Sequence, residues 1–265
     1  MKAFNRTSIG FSHIKEGKPC QDYSEQYQDD IHIIVTACDG HGGAIYVRSQ
    51  IGSRFASQAI INVFKRIKPS NLEQDDEGVL QRIKLEVLCE WNALVERDIA
   101  KHPIGDEECA GLSEDDKFRL LSNPVRAYGT TLHGAMRIED KIVCVGIGDG
   151  GIFLVKGRDV CPLFVTEEAD DTVANITYSM CQEDAYDHLS VAVIEADLID
   201  ALLVATDGTV NPYRNVTNFG EYLVMPVLSS LQKGRDEDVS AFVDRLGKEI
   251  GIGDDVSLSV LYQMS

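Results

Sequence analysis

The chain contains no uninterrupted apolar run long enough to form a helical membrane span, which needs roughly 20 residues. Its opening residues, Met-Lys-Ala-Phe-Asn-Arg-Thr, lack the apolar segment of a secretory signal, so the expectation is a cytoplasmic protein. Paired cysteine spacings are missing as well. Cys20, Cys38, Cys89, Cys109, Cys144, Cys161 and Cys181 occur singly and in odd number, which argues against both a disulfide framework and a zinc knuckle. Most of them read as small buried hydrophobes. Positive charge is scarce: 25 Lys and Arg face 43 Asp and Glu, for a formal charge of -18. Such a chain repels phosphate backbones and anionic lipid, which excludes nucleic acid and membrane surfaces as partners on charge grounds. Internal repeats and low-complexity tracts are also absent.

What is present suits one large core. A length of 265 residues with 44% hydrophobic content supports a single domain over 1–265. Ile31 to Cys38 is β-branched and apolar without a helical period, and it runs into Asp39-Gly40-His41-Gly42-Gly43. This predicts a buried strand ending in a tight loop. From Ala44 onward Val47, Ile51, Phe55, Ala59 and Val63 recur every four residues, the mark of an amphipathic helix. A second helix is predicted over Val79 to Lys101, with Ile83, Val87, Trp91 and Leu94 on one face and the polar segment 69–78 as the turn between the two. The stretch His102 to Asn123 reads as a connection in which Ser113 and Asp116 open a short helix near Lys117 to Leu121.

After Tyr128 the period changes. Strands are predicted at Thr130 to Arg137, Lys141 to Ile147, Gly151 to Lys156 and Val160 to Val165, joined by short turns that imply antiparallel hairpins. Residues Glu167 to Asp187 are acidic and irregular; strands at Leu189 to Glu195 and Ala201 to Thr206 follow. Helical patterns near Phe219 to Leu231 and Val239 to Ile250 precede a final strand, Val256 to Tyr262. Strands in runs and helices in pairs favour an α+β fold over a doubly wound parallel sheet. The simplest way to cover every apolar face is a four-layer αββα sandwich, two antiparallel sheets flanked by helical pairs.

Four aspartates stand at strand ends within glycine-rich turns: Asp39 in ACDGHGG, Asp149 in GIGDGG, Asp207 in VATDG and Asp254 in GIGDDVSLSV. Each alone is compatible with an ordinary Asp-Gly turn. Together they place carboxylates along a sheet margin, where loops carry function. Carboxylates, carbonyls and water suit hard cations such as magnesium and manganese, and the adjoining glycines allow close approach of backbone to ion. A metal pair sharing one aspartate can activate a bridging water and orient a phosphoryl group for in-line attack, while a neighbouring histidine can protonate the leaving oxygen.

The ordered set Gln21-Asp22-Tyr23, Asp39 to Gly43, Gly129-Thr130-Thr131-Leu132, Gly148-Asp149-Gly150, Thr206-Asp207-Gly208 and Asp254-Asp255-Val256-Ser257 resembles the metal-dependent Ser/Thr protein phosphatases of the type 2C family. It covers nearly the whole chain, and the compact start SHIKEGKPCQD is similar to a bacterial branch. The resemblance implies the same αββα sandwich, two Mn2+ or Mg2+ ions bridged by Asp39, and hydrolysis of phosphoserine or phosphothreonine on proteins. Asp207 and Asp254 would complete one metal site, the Gly40 carbonyl would serve the other, Asp22 would hold a water on the metals, and Asp149 would offer a third, looser position. His41 would be the general acid. Thr130 and Thr131 would pack or hydrogen-bond near the site. The implied partners are a phosphorylated protein substrate and a cognate Ser/Thr kinase, and the expected state is a monomer.

The chain departs from the family pattern at three places. Gln21 stands where relatives often carry a glutamate. Gly17 and Lys18 occupy the region of a phosphate-holding arginine, leaving Lys18 and His13 as candidates for that role or as an ordinary loop lysine and a structural histidine. Gly150 and Gly151 replace the usual basic residue after Gly-Asp. The acidic segment 166–188 corresponds to a flap that tunes substrate choice; it fits either a basic target or simple solvation. A second reading is a catalytically weak or inactive domain acting as a regulatory binding module. A third, a metal-dependent nuclease, suits the charge poorly.

Overall fold

The computed structural model describes residues 1–72, 77–164 and 177–264. In chain order the strands are β1 (Lys2–Ser8), β2 (Tyr23–Gln28), β3 (His32–Cys38), β4 (Leu132–Ile138), β5 (Lys141–Ile147), β6 (Gly151–Lys156), β7 (Asp159–Pro162), β8 (Ser190–Glu195), β9 (Ala201–Ala205) and β10 (Val256–Tyr262). The helices of the first half are α1 (Phe11–Glu16), α2 (Ser49–Phe64), α3 (Glu77–Lys101), α4 (Asp106–Cys109) and α5 (Glu114–Ser122). Those of the second half are α6 (Ala185–His188), α7 (Asp207–Val210), α8 (Val216–Phe219), α9 (Met225–Gln232) and α10 (Asp236–Arg245).

The strands form two five-stranded antiparallel sheets, ordered β1-β10-β9-β6-β7 and β2-β3-β4-β5-β8. Strand β3 shows why its sequence is mostly apolar: it is buried at every position, and its two polar side chains are satisfied, His32 against the Ile67 carbonyl and Thr36 against the Ser57 hydroxyl. Ile34 and Cys38 face the layer formed with α2 and α3, while Ile33, Val35 and Ala37 face the opposite sheet. A separate apolar layer joins the first sheet to α8, α9 and α10 through Leu203, Ala205, Phe219, Leu231 and Val243. Three apolar layers between four structural ones make the αββα sandwich that the pattern predicts.

Differences from the predicted elements have local causes. The helix expected from Ala44 begins at Ser49, because residues 43–48 turn first, with the Tyr46 amide bonded to the Gly43 carbonyl. Buried Arg48 donates through Nε and Nη2 to Glu108 at 2.6 and 2.8 Å, and through Nη1 to the His102 carbonyl and the Tyr128 hydroxyl, both at 2.7 Å. That fork fixes the weakly patterned connection to the start of α2. The Ser113 hydroxyl caps α5 by accepting from the Asp116 amide. The single helix expected near Phe219 is α8, a π-helical turn over Gly220–Val224, and α9, with Pro226 at the start of α9. A proline withholds one backbone donor, and the wider turn accommodates the gap. Val165 and the part of the acidic segment up to residue 176 lie outside the described residues, as do residues 73–76 of the expected turn.

Antiparallel pairing sorts the loops onto two rims. One collects the end of β1, the starts of β2 and β10, the ends of β3, β5 and β9, and the start of β6. The other carries the turns at 29–31, 139–140 and 157–158, and there Met1 and Met264 line one recess with Arg137, Asp140 and Asp197.

Candidate active site

Every predicted aspartate lies on the first rim. Asp39 follows β3, and its backbone is pinned on both sides. Its carbonyl accepts from the Thr130 hydroxyl and the Thr131 amide, each at 2.8 Å, and its amide donates to the Thr131 hydroxyl at 3.0 Å. The two threonines are fully buried. Gly40 donates to the Gln21 carbonyl at 3.1 Å, and a Cβ there would stand 2.6 Å from the Ser49 carbonyl oxygen and 2.7 Å from that of Gln21. Only glycine fits.

Asp149 sits in the β5–β6 turn, where Gly148 adopts φ 104, and it accepts at Oδ2 from the Thr177 hydroxyl at 2.6 Å. Asp207 opens α7, taking the Gly208 amide at 2.6 Å and the Asn211 side-chain amide at 3.2 Å. Asp22, 5% exposed, accepts from the Thr206 hydroxyl at 2.7 Å. Asp254 is exposed, and its Oδ1 accepts from the Asp255 amide at 2.9 Å.

Carboxylate oxygens of Asp39, Asp149 and Asp207 all come within 4.8 Å of one another. Among the described residues this is the one group of His, Cys, Asp and Glu side chains so arranged. Asp149 thus stands inside the tight group, whereas Asp254 borders it. The electrostatics follow from the crowding. Burial, reinforced by the charges of Asp22 and Asp207, holds the Asp39 carboxyl well above the usual range. Burial also lifts Asp22, opposed by the Thr206 hydroxyl and reinforced by the charge of Asp255. Asp207 rises to about 6 through burial and then the charges of Asp149 and Asp254. A divalent cation answers this strain, and an all-oxygen donor set with glycine backbone alongside fits magnesium or manganese.

His41 packs edge-on against Tyr46, ring centroids 5.0 Å apart. Its Nε2 is buried without a hydrogen-bond partner. Burial lowers its pKa, partly offset by the charge of Asp149. Gln21 spans the floor, donating to the His41 carbonyl at 3.1 Å and the Ser49 hydroxyl at 2.6 Å.

Lys18 and His13 line a recess of about 260 Å³ together with Ser12, Glu16 and Asp254, so both candidates lie beside the acids. Each has a partner already: Lys18 Nζ meets Glu16 at 2.7 Å, and His13 Nδ1 meets Asp255 at 2.9 Å. Three polar groups of this site carried no separate signal in the sequence. Thr206 precedes Asp207 in a strand-like run, Thr177 lies in an acidic segment, and Asp255 stands next to a more conspicuous aspartate. Only its burial, 2% exposed, separates Asp255 from that neighbour.

The sequence profile described as protein phosphatase 2C matches residues 9–244. Among solved structures, a bacterial serine phosphatase aligns with TM-score 0.65 at 16% identity, covering 98% of this chain and 96% of that one. The serine/threonine phosphatase Stp1 from Staphylococcus aureus aligns with TM-score 0.61 at 14% identity, over 100% of this chain and 96% of its own. The catalytic domain of the serine threonine protein phosphatase PstP, solved with two manganese ions, gives TM-score 0.54 at 14% identity, covering 98% and 96%. No curated protein matches.

Proposed function

The chain belongs to the protein phosphatase 2C family, and from that premise we propose that it hydrolyses phosphoserine and phosphothreonine esters on proteins with a pair of divalent cations. The carrying observation is the convergence of Asp39, Asp149 and Asp207 within 4.8 Å. Asp39, Asp207 and Asp254, with the Gly40 carbonyl, would hold the cations; Asp22 supports them from the buried side, and Asp149 serves a third position. When bound, the ions supply a water of lowered pKa and neutralise charge on the phosphoryl oxygens.

The chain's own groups do the rest. Thr130 and Thr131 hold the Asp39 backbone so that its carboxylate faces the rim. His41 would donate a proton from its ring to the departing serine or threonine oxygen. Lys18 and the His13 ring line the recess beside Asp254, where an ester phosphate would lie. The substrate is a phosphoprotein produced by a Ser/Thr kinase, and no helix among the described residues is long and apolar enough to cross a membrane, in keeping with a cytoplasmic setting.

A second reading, a binding module with little turnover, is favoured by one observation: Glu16 and Asp255 already engage Lys18 and His13. Manganese-dependent hydrolysis of a phosphothreonine peptide separates the two. Turnover should vanish with chelator and in Asp39→Asn and Asp207→Asn. His41→Ala should slow the peptide by about 10²–10⁴-fold and an activated aryl phosphate far less. A wild-type protein that binds manganese without turnover would establish the module.

A further inference from the structure

One buried carboxylate beside the cluster has no part in that chemistry. Asp255 accepts at Oδ1 from the Gly10 amide at 2.7 Å, and at Oδ2 from the Gln21 amide at 2.6 Å and His13 Nδ1 at 2.9 Å. Gly10 and Gln21 bracket α1 and the loop after it, so one side chain closes that whole segment upon itself. The segment is also seated on the turn that carries Asp254. The Ser12 amide donates to the Gly253 carbonyl at 3.1 Å, and a Cβ on Gly10 would stand 2.3 Å from the Asp254 carbonyl carbon.

A buried carboxylate is tolerated only when its oxygens are satisfied, and three N–H groups from one segment satisfy this one. The contact demands an acid. Asparagine would turn its NH2 toward at least one of three N–H donors, and a buried donor left facing a donor is costly.

Gln21 directly precedes Asp22, and Asp255 directly follows Asp254. We propose that Asp255 is a positioning residue for the metal centre: by clasping Gly10, His13 and Gln21 it fixes Asp22 against Asp254, two acids that reach the rim from opposite ends of the chain. The inference rests on the metal reading of those two aspartates. Residues that orient ligands without touching the ion typically change metal affinity by about 10–100-fold when removed.

The test is manganese titration calorimetry on the full chain, with amide hydrogen exchange as a readout independent of turnover. Asp255→Asn should weaken manganese binding about 10–100-fold and accelerate exchange at Gly10 and Gln21, while exchange in β3 and β9 stays as in the wild type. If that variant does not fold, His13→Ala removes one contact and no backbone bond, and it should weaken binding in the same direction by less. Unchanged manganese affinity in a folded Asp255→Asn protein, even with a lowered Tm, overturns the proposal, as does unchanged affinity in His13→Ala where Asp255→Asn fails to fold. A wild-type protein that takes up no manganese removes the metal reading and this inference with it. Wild-type binding with an indifferent variant removes this inference alone.

Discussion

Asp207 ionises with difficulty in the folded chain, at about 6, because it is buried beside Asp149 and Asp254. An unfolded chain would release the same proton near 3.9. As pH rises through that window the unfolded state loses its proton first, so without metal the stability contributed here is full below the lower value, is lost as pH rises to the higher one, and changes little above it. The size is on the order of 3 kcal/mol for this group alone. Metal-free protein should therefore melt at a higher temperature at pH 5.5 than at pH 7.5, and Asp207→Asn should reduce that difference, with Asp22 and Asp39, raised in the same direction, supplying the remainder. Saturating manganese should restore the melting temperature at pH 7.5. A metal-free protein that melts higher at pH 7.5 would contradict the assignment of this carboxyl as strained.

At the scale of elements, α2 is held as closely as the site. Gly52 lies buried on its inner face, where an added Cβ would stand 2.1 Å from the Tyr128 carbonyl oxygen, and its own carbonyl accepts from Trp91 Nε1 at 3.2 Å. Alanine favours a helix over glycine by about 1 kcal/mol, yet overpacking should dominate and destabilise Gly52→Ala by roughly 1–3 kcal/mol. Urea unfolding checks this, with Gly111→Ala, at an exposed glycine where a Cβ meets nothing within 4 Å, as the control with little effect. Elements whose burial follows a simple period were legible in the sequence. Strands β5, β6 and β10 match their predicted bounds because apolar layers cover them and their ends coincide with turn residues. Strands β1 and β2 were not, for a physical reason. Thr7 bonds the hydroxyls of Ser24 and Ser257, each at 2.7 Å, Asn5 donates to the Ser24 carbonyl at 3.1 Å, and Arg6 pairs with Asp244 at 2.7 Å. Polar pairing across the sheets leaves no alternation to read. The same holds at the site: Asp39 and Asp207 announced themselves through Asp-Gly turns, while the threonine hydroxyls that hold Asp39 and Asp22 and the contacts of Asp255 with Gly10, His13 and Gln21 join distant parts of the chain.

The whole molecule carries a formal charge of -18, and that field acts on anything approaching the rim. Basic phosphopeptides should be drawn in and acidic ones opposed. Raising salt from 0.05 to 0.5 M should lower kcat/KM for a lysine-rich phosphopeptide and raise it for an aspartate-rich one, since screening shortens to under about 10 Å. Parallel responses of both peptides would show that local contacts, not the overall field, govern approach. The sorting of loops onto two rims has a practical side. Met1 and Met264 share a recess on the rim away from the aspartates, about 20 Å off, the length of a strand. A bead, a biosensor surface or a fused reporter attached through either end would stand behind the sandwich and leave the acidic cleft facing outward, giving an immobilised enzyme one defined orientation whichever end is tethered.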